Sequence, residues 1–408
     1  MMNNNGFKMT EPMTAITPFE YAPMPHIHFG WGCRHRLSEQ CRQYQHIVVI
    51  SSRFLAQPGQ FAAELIDSLA NHCQVQTFIV SGEPSPELVD NIVQQCAHHS
   101  DAVIGIGGGS VLDAAKAIAG LLPSQTSVMD YLEGVGAGKP FNVDTCPFIA
   151  VPTTAGTGSE TTKNAVLSRI GAFKKSFRDN KLLAKAAWLD PELLQTCPKE
   201  ILHTTGMDAF TQLLESYTTL KSNPMSDALA WQGMQKFIGA FELIDSVDAQ
   251  QQQIGYGNLM LAAMLSGTTL ANAGLGAVHG LAGPIGAFFT APHGVVCAKL
   301  LSPITAANIR ALKQHDNIEF CAPFLHKFAQ IGRLISQKNN LSDNEAQQCL
   351  LDYLQDLSSR YVPQGLAEYG LKSNNIEVVI ENCRSGSMLG NPLTLSDEVL
   401  RYAIVSSL

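Results

Sequence analysis

The chain has 408 residues, of which 45% are apolar and 15% are charged, and its formal net charge is −8 at pH 7. This composition is typical of a globular protein with large buried elements, and the length favours two domains with a cleft between them. No basic block is longer than the Lys174-Lys175 pair, which argues against nucleic acid or an anionic membrane as a partner. No apolar stretch has the pattern of a membrane span.

The ten cysteines are scattered along the chain, and no CxxC pair occurs. We therefore expect buried, reduced thiols in a cytoplasmic protein, and neither a disulfide framework nor a structural zinc site. Residues 1–24 are expected to form a flexible leader, because they lack the basic start and the apolar run of a signal peptide.

Strands and helices alternate in the first half of the chain. The predicted helices are Phe61–Ala70, Pro86–His98 and Val111–Leu122. The predicted strands are His46–Ser51, Val75–Val80, Ala102–Ile106, Pro147–Val151, Asn164–Ser168 and Ala186–Leu189. Alternation of this kind favours right-handed βαβ units and one parallel sheet, and hence an α/β domain over residues 25–195.

Helical periodicities dominate after Pro198, first in His203–Thr219, Pro224–Phe241 and Gln251–Asn272. Strand signals almost disappear there, so the second domain, residues 196–408, is predicted to be all-helical. Turn signals at Asp190-Pro191 and Cys197-Pro198 support a junction between the two.

A glycine cluster follows the third predicted strand and opens a helix. Gly107, Gly108, Gly109 and Ser110 stand where backbone N–H groups and the helix N-terminus can approach a phosphate closely. A turn with no ligand is the alternative reading of such a cluster. The continuation places Asp113 and Lys116 on one side of the first helical turns, which strengthens the prediction of a nucleotide site.

A second loop of small residues, 151–160, follows the next strand and includes Thr153, Thr154 and Thr157. Its hydroxyl groups suit a pyrophosphate or a ribose, although a solvated turn is again the alternative. Two such loops after strands of one parallel sheet indicate a shared ligand site, because ligands bind outside the carboxyl ends of such strands.

Metal chemistry is suggested in the helical half. Asp208 and Gln212 are four apart in a helical pattern and so share a face. His279 and His293 each stand beside a glycine in an apolar stretch. A histidine in that setting is either a metal ligand or a hydrogen-bonded core residue, and the residues alone leave both open.

Together these segments resemble the iron-containing (group III) alcohol dehydrogenase family, which is related to glycerol dehydrogenase and dehydroquinate synthase. The resemblance covers residues 25–405. Its segments are GGGSVLDAAKA at 107–117, VPTTAGTGSETTKNAVLS at 151–168, GMDAFTQLLESY at 206–217, GAVHGLAGPIGAFFTAPHGVVCAKLLSPI at 276–304 and GNPLTLSDE at 390–398.

The resemblance implies a Rossmann-like nucleotide-binding α/β domain, an all-α C-terminal domain and a metal in the cleft between them. It places cofactor contacts on a set of loop residues: Gly108, Gly109, Ser110, Asp113, Thr153, Thr154, Thr157, Asn164 and Lys175. It places the metal on Asp208, Gln212, His279 and His293, and through the metal it gives Asp208, His279 and His293 the catalytic role. A homo-oligomer, as a dimer, is also implied.

Gln212 marks the chain as a divergent member, since the family has a ligand histidine at that position. An amide oxygen binds a divalent cation more weakly than imidazole does, and it should reduce any preference for zinc. We expect Fe²⁺, with Zn²⁺ or Mn²⁺ as alternatives. Because maleylacetate reductases on this scaffold work without metal, an empty site is an alternative too.

Gly283 is a second departure, because many members carry a further histidine there that faces the substrate. Its absence removes a candidate proton relay and opens space for a bulkier or more polar substrate. The substrate proton would then leave through water or a cofactor ribose hydroxyl. Low charge over Gly276–Leu301 favours a small neutral carbonyl compound.

Ser52 and Arg53 follow the first predicted strand, where an NAD enzyme of this architecture often has a carboxylate for the adenosine ribose. Without that acid, and with an arginine beside the position, the sequence favours NADP and leaves NAD open. Solvation of Arg53 at the surface is the alternative.

The sequence therefore predicts a metal-dependent, NAD(P)-linked alcohol dehydrogenase or carbonyl reductase acting on a small molecule. The alternatives are a metal-independent reductase or a lyase on the same scaffold, and a non-catalytic nucleotide-binding relative.

Overall fold

The structure is a computed structural model that describes residues 16–96 and 100–408. The predicted leader lies outside the described residues as far as residue 15, and residues 16–25 form neither helix nor strand. Within that segment, the backbone N–H of Ala22 donates to Asn272 Oδ1 at 2.6 Å. The predicted helix end at His98 also lies outside the described residues.

The N-terminal half is built on a parallel sheet. The described strands are β1 His26–Phe29, β2 His46–Ser51, β3 Gln74–Ile79, β4 Ala102–Gly107, β5 Phe148–Pro152, β6 Asn164–Arg169, β7 Phe173–Arg178 and β8 Ala186–Leu189. Six of them pair in parallel in the order β1-β8-β5-β4-β2-β3. The strands β5, β4 and β2 are therefore neighbours in the middle of the sheet.

The central strands are apolar because both faces of the sheet are covered. Val48 and Ile50 of β2 belong to one buried cluster, while Ile47 and Val49 belong to the cluster on the opposite face. Successive side chains of a strand point to opposite faces, so a strand buried on both sides has no polar alternation. The edge strand β3 leaves half or more of its residues exposed.

The prediction that Asn164–Ser168 continues the sheet is wrong. This segment is β6, which pairs antiparallel with β7 in a separate two-stranded sheet. A turn at Gly171, whose φ is +82°, joins the two strands. The sequence did not indicate β7, because FKKSFR alternates too few apolar residues to be read as a sheet strand.

Helices make up the second half of the described chain. The α-helices are α1 Leu37–Gln40, α2 Phe61–Ala70, α3 Pro86–Gln95, α4 Gly109–Leu121, α5 Lys199–Thr218, α6 Pro224–Phe237, α7 Ala240–Ile244, α8 Ala249–Ala273, α9 Ala277–Phe288, α10 His293–Gln314, α11 Ile318–Ser336, α12 Asp343–Tyr361, α13 Glu377–Asn382 and α14 Asp397–Val405. A parallel sheet followed by a helical region confirms the predicted fold class.

The change from strands to helices occurs between Leu189, the end of β8, and Lys199, the start of α5. The predicted helix Pro224–Phe241 is divided into α6 and α7, because Gly239 takes a left-handed φ of +81°.

Helix α10 is long and apolar enough to cross a membrane, but 61% of its most apolar window is buried within the fold. Helices α8 and α9 pass the same test only as a pair bent by 100°. Burial of this kind is typical of the core helix of a globular protein.

Candidate active site

The predicted phosphate loops meet at the carboxyl edge of the sheet. Strands β2, β4 and β5 end at Ser51, Gly107 and Pro152, and they are adjacent. The backbone N–H of Thr153 donates to the carbonyl oxygen of Gly107 at 3.0 Å, which ties the second loop to the first. This edge is the position at which parallel α/β sheets bind nucleotides.

The glycines of the first loop allow the two loops to approach each other closely. Gly108 is the N-cap of α4, and no side chain caps the helix N-terminus. A Cβ atom on Gly109 would lie 2.6 Å from Thr157 Cγ2, and one on Gly108 would lie 3.2 Å from Thr154 Cγ2. The backbone N–H groups at Gly109 and Ser110 therefore open a narrow cradle, which suits a phosphate.

Asp113 and Lys116 hold the second loop in place. The Lys116 ammonium is fully buried and donates to Ser159 O at 2.7 Å, to Thr162 Oγ1 at 2.9 Å and to Asn164 O at 2.8 Å. Asp113 Oδ1 accepts from Ser159 Oγ at 2.5 Å, and its Oδ2 accepts from the backbone N–H of Val166. Burial lowers the pKa of Lys116 to about 8, although Asp113 and Glu160 favour its charged form.

The second loop also packs on the helical region. Gly158, with a φ of +60°, lies against α8, and a Cβ on it would be 2.4 Å from Gly267 Cα. Thr161 Oγ1 donates to the carbonyl oxygen of Met264 at 3.0 Å. The remaining predicted residue of this loop region, Asn164, is buried, and its Oδ1 has no hydrogen-bond partner in the described structure.

The other predicted cofactor residues lie at the rim. Arg53 is exposed after β2, and Ser52 Oγ accepts from the backbone N–H of Leu55 at 3.4 Å. Lys175 is in β7 opposite Leu167, and its neighbour Lys174 points to the other face of the hairpin. Lys174 forms an ion pair with Glu83 and lies beside Gly286 of α9.

Three predicted metal ligands converge where α5, α9 and α10 meet. The distance from Asp208 Oδ1 is 3.1 Å to His279 Nε2 and 3.7 Å to His293 Nε2. The start of α10 is pressed against α5, since a Cβ on Gly294 would lie 2.2 Å from the carbonyl oxygen of Thr204. This close approach brings His293 to the Asp208 face of α5.

Cys297 is a fourth member of the group that the sequence did not indicate. Its Sγ atom lies 3.7 Å from His279 Nε2 and 3.7 Å from His293 Nε2, and the residue is fully buried. One donor atom from each of Asp208, His279, His293 and Cys297 lies within 4.8 Å of all the others. We define these four residues as the donor cluster.

Glu215 orients one imidazole of the cluster, and it too was missed from the sequence. Its Oε2 lies 2.7 Å from His279 Nδ1, and Oε1 accepts from the backbone N–H of Val278 at 2.7 Å. The carboxylate therefore accepts the Nδ1–H and turns Nε2 toward the cluster, where it lies 3.1 Å from Asp208 Oδ1 and would offer its lone pair to a metal. A carboxylate behind a histidine is the usual support of a metal-ligating imidazole.

Gln212 lies beside the cluster, one turn after Asp208. Its Nε2 donates to Asp208 Oδ1 at 3.2 Å, while its Oε1 accepts from Ser266 Oγ at 2.9 Å. Ser266 belongs to α8, so the amide links two helices behind the site. In this orientation the amide nitrogen, not the oxygen, faces the cluster.

The four residues of the donor cluster differ in the direction of their pKa shifts. Burial opposes ionisation of Asp208, but His293 and the hydrogen bond from His279 hold its pKa at about 2. Burial lowers the pKa of His293 to about 4, aided by nearby Lys174. For His279, burial is outweighed by the electrostatic influence of Cys297 and by hydrogen bonds with Asp208, Cys297 and Glu215, which together raise its pKa. Burial raises the pKa of the Cys297 thiol to about 12.

Oxygen, nitrogen and sulfur donors in this number suit one divalent ion of the transition series. Two features of the site suit bound groups: Glu215 turns His279 Nε2 toward the cluster, and Asn164 Oδ1 is buried without a hydrogen-bond partner in the described structure. The residues thus fit both a metal and a nucleotide. A Cβ atom added to Gly283 would meet nothing within 4 Å, so the space around that position is open.

Known proteins match the chain along most of its length. Residues 24–191 match the family described as iron-containing alcohol dehydrogenase, and residues 202–403 match the C-terminal family of Fe-containing alcohol dehydrogenases. The chain is 33% identical over 355 residues to the 1-propanol dehydrogenase PduQ of Salmonella typhimurium, an alignment that covers 81% of this chain and 89% of the relative. It is 31% identical over 286 residues to the NAD-dependent methanol dehydrogenase of Bacillus methanolicus, covering 69% and 70%.

The fold is also found among solved structures. A crystal structure of 1,3-propanediol oxidoreductase superposes with a TM-score of 0.84 and 25% identity, and the match covers 96% of this chain and 100% of that one.

Proposed function

Since the chain belongs to the iron-containing alcohol dehydrogenase family, we propose that it interconverts an alcohol and a carbonyl compound at a divalent metal held by Asp208, His279 and His293. The observation that carries the proposal is the convergence of three donor atoms from α5, α9 and α10 on one point beside the nucleotide edge of the sheet. Two residues are candidates for the fourth ligand: Gln212, which the sequence predicts, and Cys297, which belongs to the donor cluster.

The metal, when bound, supplies Lewis acidity to the substrate oxygen. The chain's own residues prepare the site for it. Asp208 contributes the negative charge, and Glu215 fixes His279 in the tautomer whose Nε2 is free to ligate. When bound, the nicotinamide ring would supply the acceptor for a hydride from the carbinol carbon. The hydroxyl proton would leave through water or a cofactor ribose hydroxyl, because position 283 offers no side chain to accept it.

The nucleotide is held by the two loops at the sheet edge. The N-terminus of α4 at Gly108, Gly109 and Ser110 takes the pyrophosphate, with Gly107 setting the turn before it. Thr153, Thr154, Thr157 and the free Asn164 Oδ1 supply hydrogen bonds along the cofactor. Asp113 supports the cofactor site by holding Ser159 of the second loop. Lys175 is proposed as a further cofactor contact.

NADP is proposed as the preferred cofactor and NAD as an accepted one. Ser52 and the exposed Arg53 follow β2, and no carboxylate stands beside them to repel a phosphate on the adenosine ribose. The guanidinium of Arg53 can pair with that phosphate.

The proposed substrate is a small neutral alcohol or aldehyde, as the names of the 1-propanol and 1,3-propanediol relatives suggest for them. The open space at Gly283 leaves room for a substrate larger than ethanol. We further propose a cytoplasmic homodimer, with residues 25–195 and 196–408 as its two domains and Fe²⁺, Zn²⁺ or Mn²⁺ as its metal.

A metal-independent reductase is the second candidate. The observation that favours it is the Gln212 amide, whose Nε2–H donates to Asp208 and so satisfies the carboxylate without a cation.

Elemental analysis of protein purified without chelators or an affinity metal tests the proposal, together with NADPH and NADH oxidation against a panel of aldehydes. About one metal ion per chain, with activity lost on chelation and restored by metal, supports it. His279→Ala should abolish metal retention, and His326→Ala, at an exposed histidine, is the matched control. Metal-free protein that still reduces aldehydes would establish the second candidate.

A further inference from the structure

The fourth ligand can be assigned from the geometry of α10. We propose that the Cys297 thiolate, and not the Gln212 amide, completes the site, so that the chain holds its metal by one carboxylate, two imidazoles and one sulfur. This assignment rests on the proposed function, because it specifies the ligands of that same site.

Four of the six donor–donor distances in the cluster are close to those of a tetrahedral site. Metal bonds of roughly 2.0–2.3 Å require neighbouring donor atoms to be about 3.3–3.8 Å apart. The His279 and His293 Nε2 atoms each lie 3.7 Å from Cys297 Sγ, and the Asp208 contacts are 3.1 and 3.7 Å. All four donors lie within 4.8 Å of one another, so side-chain adjustments of about 1 Å would bring them around one point.

The position of Cys297 is fixed by the helix. It stands one turn after His293 in α10, so both side chains lie on the same face. Elsewhere in the chain, cysteine thiols contact backbone carbonyl oxygens: Cys33, Cys73, Cys146 and Cys383 each donate to one. The Sγ atom of Cys297 instead contacts two imidazole nitrogens.

Gln212 is held in a different role. Its Oε1 accepts a hydrogen bond from Ser266 Oγ at 2.9 Å, on the side away from the cluster. The group that it presents to Asp208 is an N–H donor, which has no lone pair for a metal. To become a ligand, the Gln212 amide would have to rotate by about 180° so that Oε1 faces the cluster, and it would lose the hydrogen bond from Ser266 Oγ to Oε1.

Charge favours the sulfur as well. A carboxylate and a thiolate together balance a divalent cation, and the two imidazoles are neutral ligands. With Gln212 in place of Cys297, Asp208 would be the only negatively charged direct ligand, because the second buried carboxylate, Glu215, reaches the metal only through His279. A charge is stabilised most by a partner in direct contact with it, so the set that includes the thiolate should bind the metal more tightly. On binding, the thiol loses its proton to solvent.

A thiolate also changes the choice of metal. Soft sulfur ligands favour zinc over manganese and magnesium, whereas an amide oxygen would have the opposite effect. The assignment therefore reverses the preference expected from Gln212 alone, and zinc becomes the expected ion.

The test is loading of the full-length protein with Co²⁺ and with Zn²⁺. The wild type should show the near-ultraviolet absorption of a cobalt–thiolate bond. Cys297→Ser should lose that band and should weaken zinc binding more than about 100-fold, beyond the loss typical of an outer-shell partner. Cys297→Ala is the second variant, and circular dichroism checks that both fold. Gln212→Ala and Cys383→Ser should keep the band.

Four outcomes would overturn the assignment, and they differ in what else they overturn. Cobalt bound without a thiolate band, or a band kept in Cys297→Ser, excludes the cysteine and leaves the proposed function standing. Loss of zinc affinity in Gln212→Ala but not in Cys297→Ser returns the ligand to the amide. If the wild type binds neither ion, and His279→Ala makes no difference, both the assignment and the metal-dependent function fail.

Discussion

His279 Nδ1 and Glu215 Oε2 lie 2.7 Å apart, and the same carboxylate accepts the backbone N–H of Val278 through its other oxygen. One buried glutamate thus fixes both the ring of His279 and the first turn of the helix that carries it. The pair spans α5 and α9, so the orientation of a ligand from one helix depends on an anion from another.

Glu215→Gln should therefore weaken metal binding by about 10- to 100-fold, the range typical of a lost outer-shell partner. The neutral amide keeps the shape of the side chain but gives the imidazole a weaker acceptor. Competition with a chromophoric chelator measures the zinc affinity, and Glu381→Gln, at an exposed position, is the control. An affinity equal to that of the wild type would mean that Glu215 serves the fold alone.

Gly109→Ala should raise the dissociation constant of NADH and NADPH by about tenfold or more, equivalent to the loss of one good hydrogen bond. The added Cβ would lie 2.6 Å from Thr157 Cγ2 and would push the two loops apart. Cofactor fluorescence titration measures the constant. Gly257→Ala, in α8, has open space around its Cβ and should bind as the wild type does. Unchanged binding in Gly109→Ala would place the pyrophosphate elsewhere.

Arg53→Ala should raise the KM for NADP about tenfold and leave the KM for NAD nearly unchanged. An exposed guanidinium that pairs with a phosphate contributes about 1.5 kcal/mol when solvent screens it. Initial rates with both cofactors give the comparison, and Arg42→Ala, also exposed, serves as the reference. Equal changes for the two cofactors would remove the argument for NADP.

Glu160→Gln should stabilise the protein at pH 8 and have little effect at pH 4.5. Burial raises the pKa of Glu160 from 4.5 to about 7, against a weaker pull from Lys116. Between these values the folded state binds more protons than the unfolded state, so stability falls as pH rises through that window. The ionised carboxylate then costs the fold about 3 kcal/mol, a cost that the amide does not have.

Chemical unfolding of both proteins at the two pH values measures that difference. The Glu381→Gln variant should follow the wild type at both. A difference between Glu160→Gln and the wild type that is the same at pH 4.5 and pH 8 would contradict the raised pKa.

The sequence was sufficient for the central sheet because apolar strands and glycine turns are local signals. His46–Ser51 and Ala186–Leu189 occupy the predicted residues, and Val75–Val80 differs by one residue at each end. The partner of a strand is not a local property, which is why Asn164–Ser168 was assigned to the wrong sheet. Its true partner, β7, carries two lysines whose positions are clear only once the hairpin is folded.

The donor cluster could be predicted only in part for a similar reason. Asp208, His279 and His293 stand in motifs that can be recognised, whereas Cys297, which belongs to no CxxC pair, is predicted from the sequence only as a buried thiol. Its spacing of four from His293 was the available signal, since that spacing places two side chains on one helix face. Glu215 gave no such signal, because its partner is 64 residues away.

Gly158 and Gly267 bring main chain against main chain where the phosphate loop touches α8. Because the two backbones touch directly, with no side chain between them, they cannot come closer, so this contact should act as the pivot of any domain rotation. The width of the gap at the end that holds the pyrophosphate would then stay nearly constant. The end of the gap farthest from this contact would open the most. We therefore expect nucleotide affinity to be set by the rigid loops and the timing of substrate entry by the opening of that outer end.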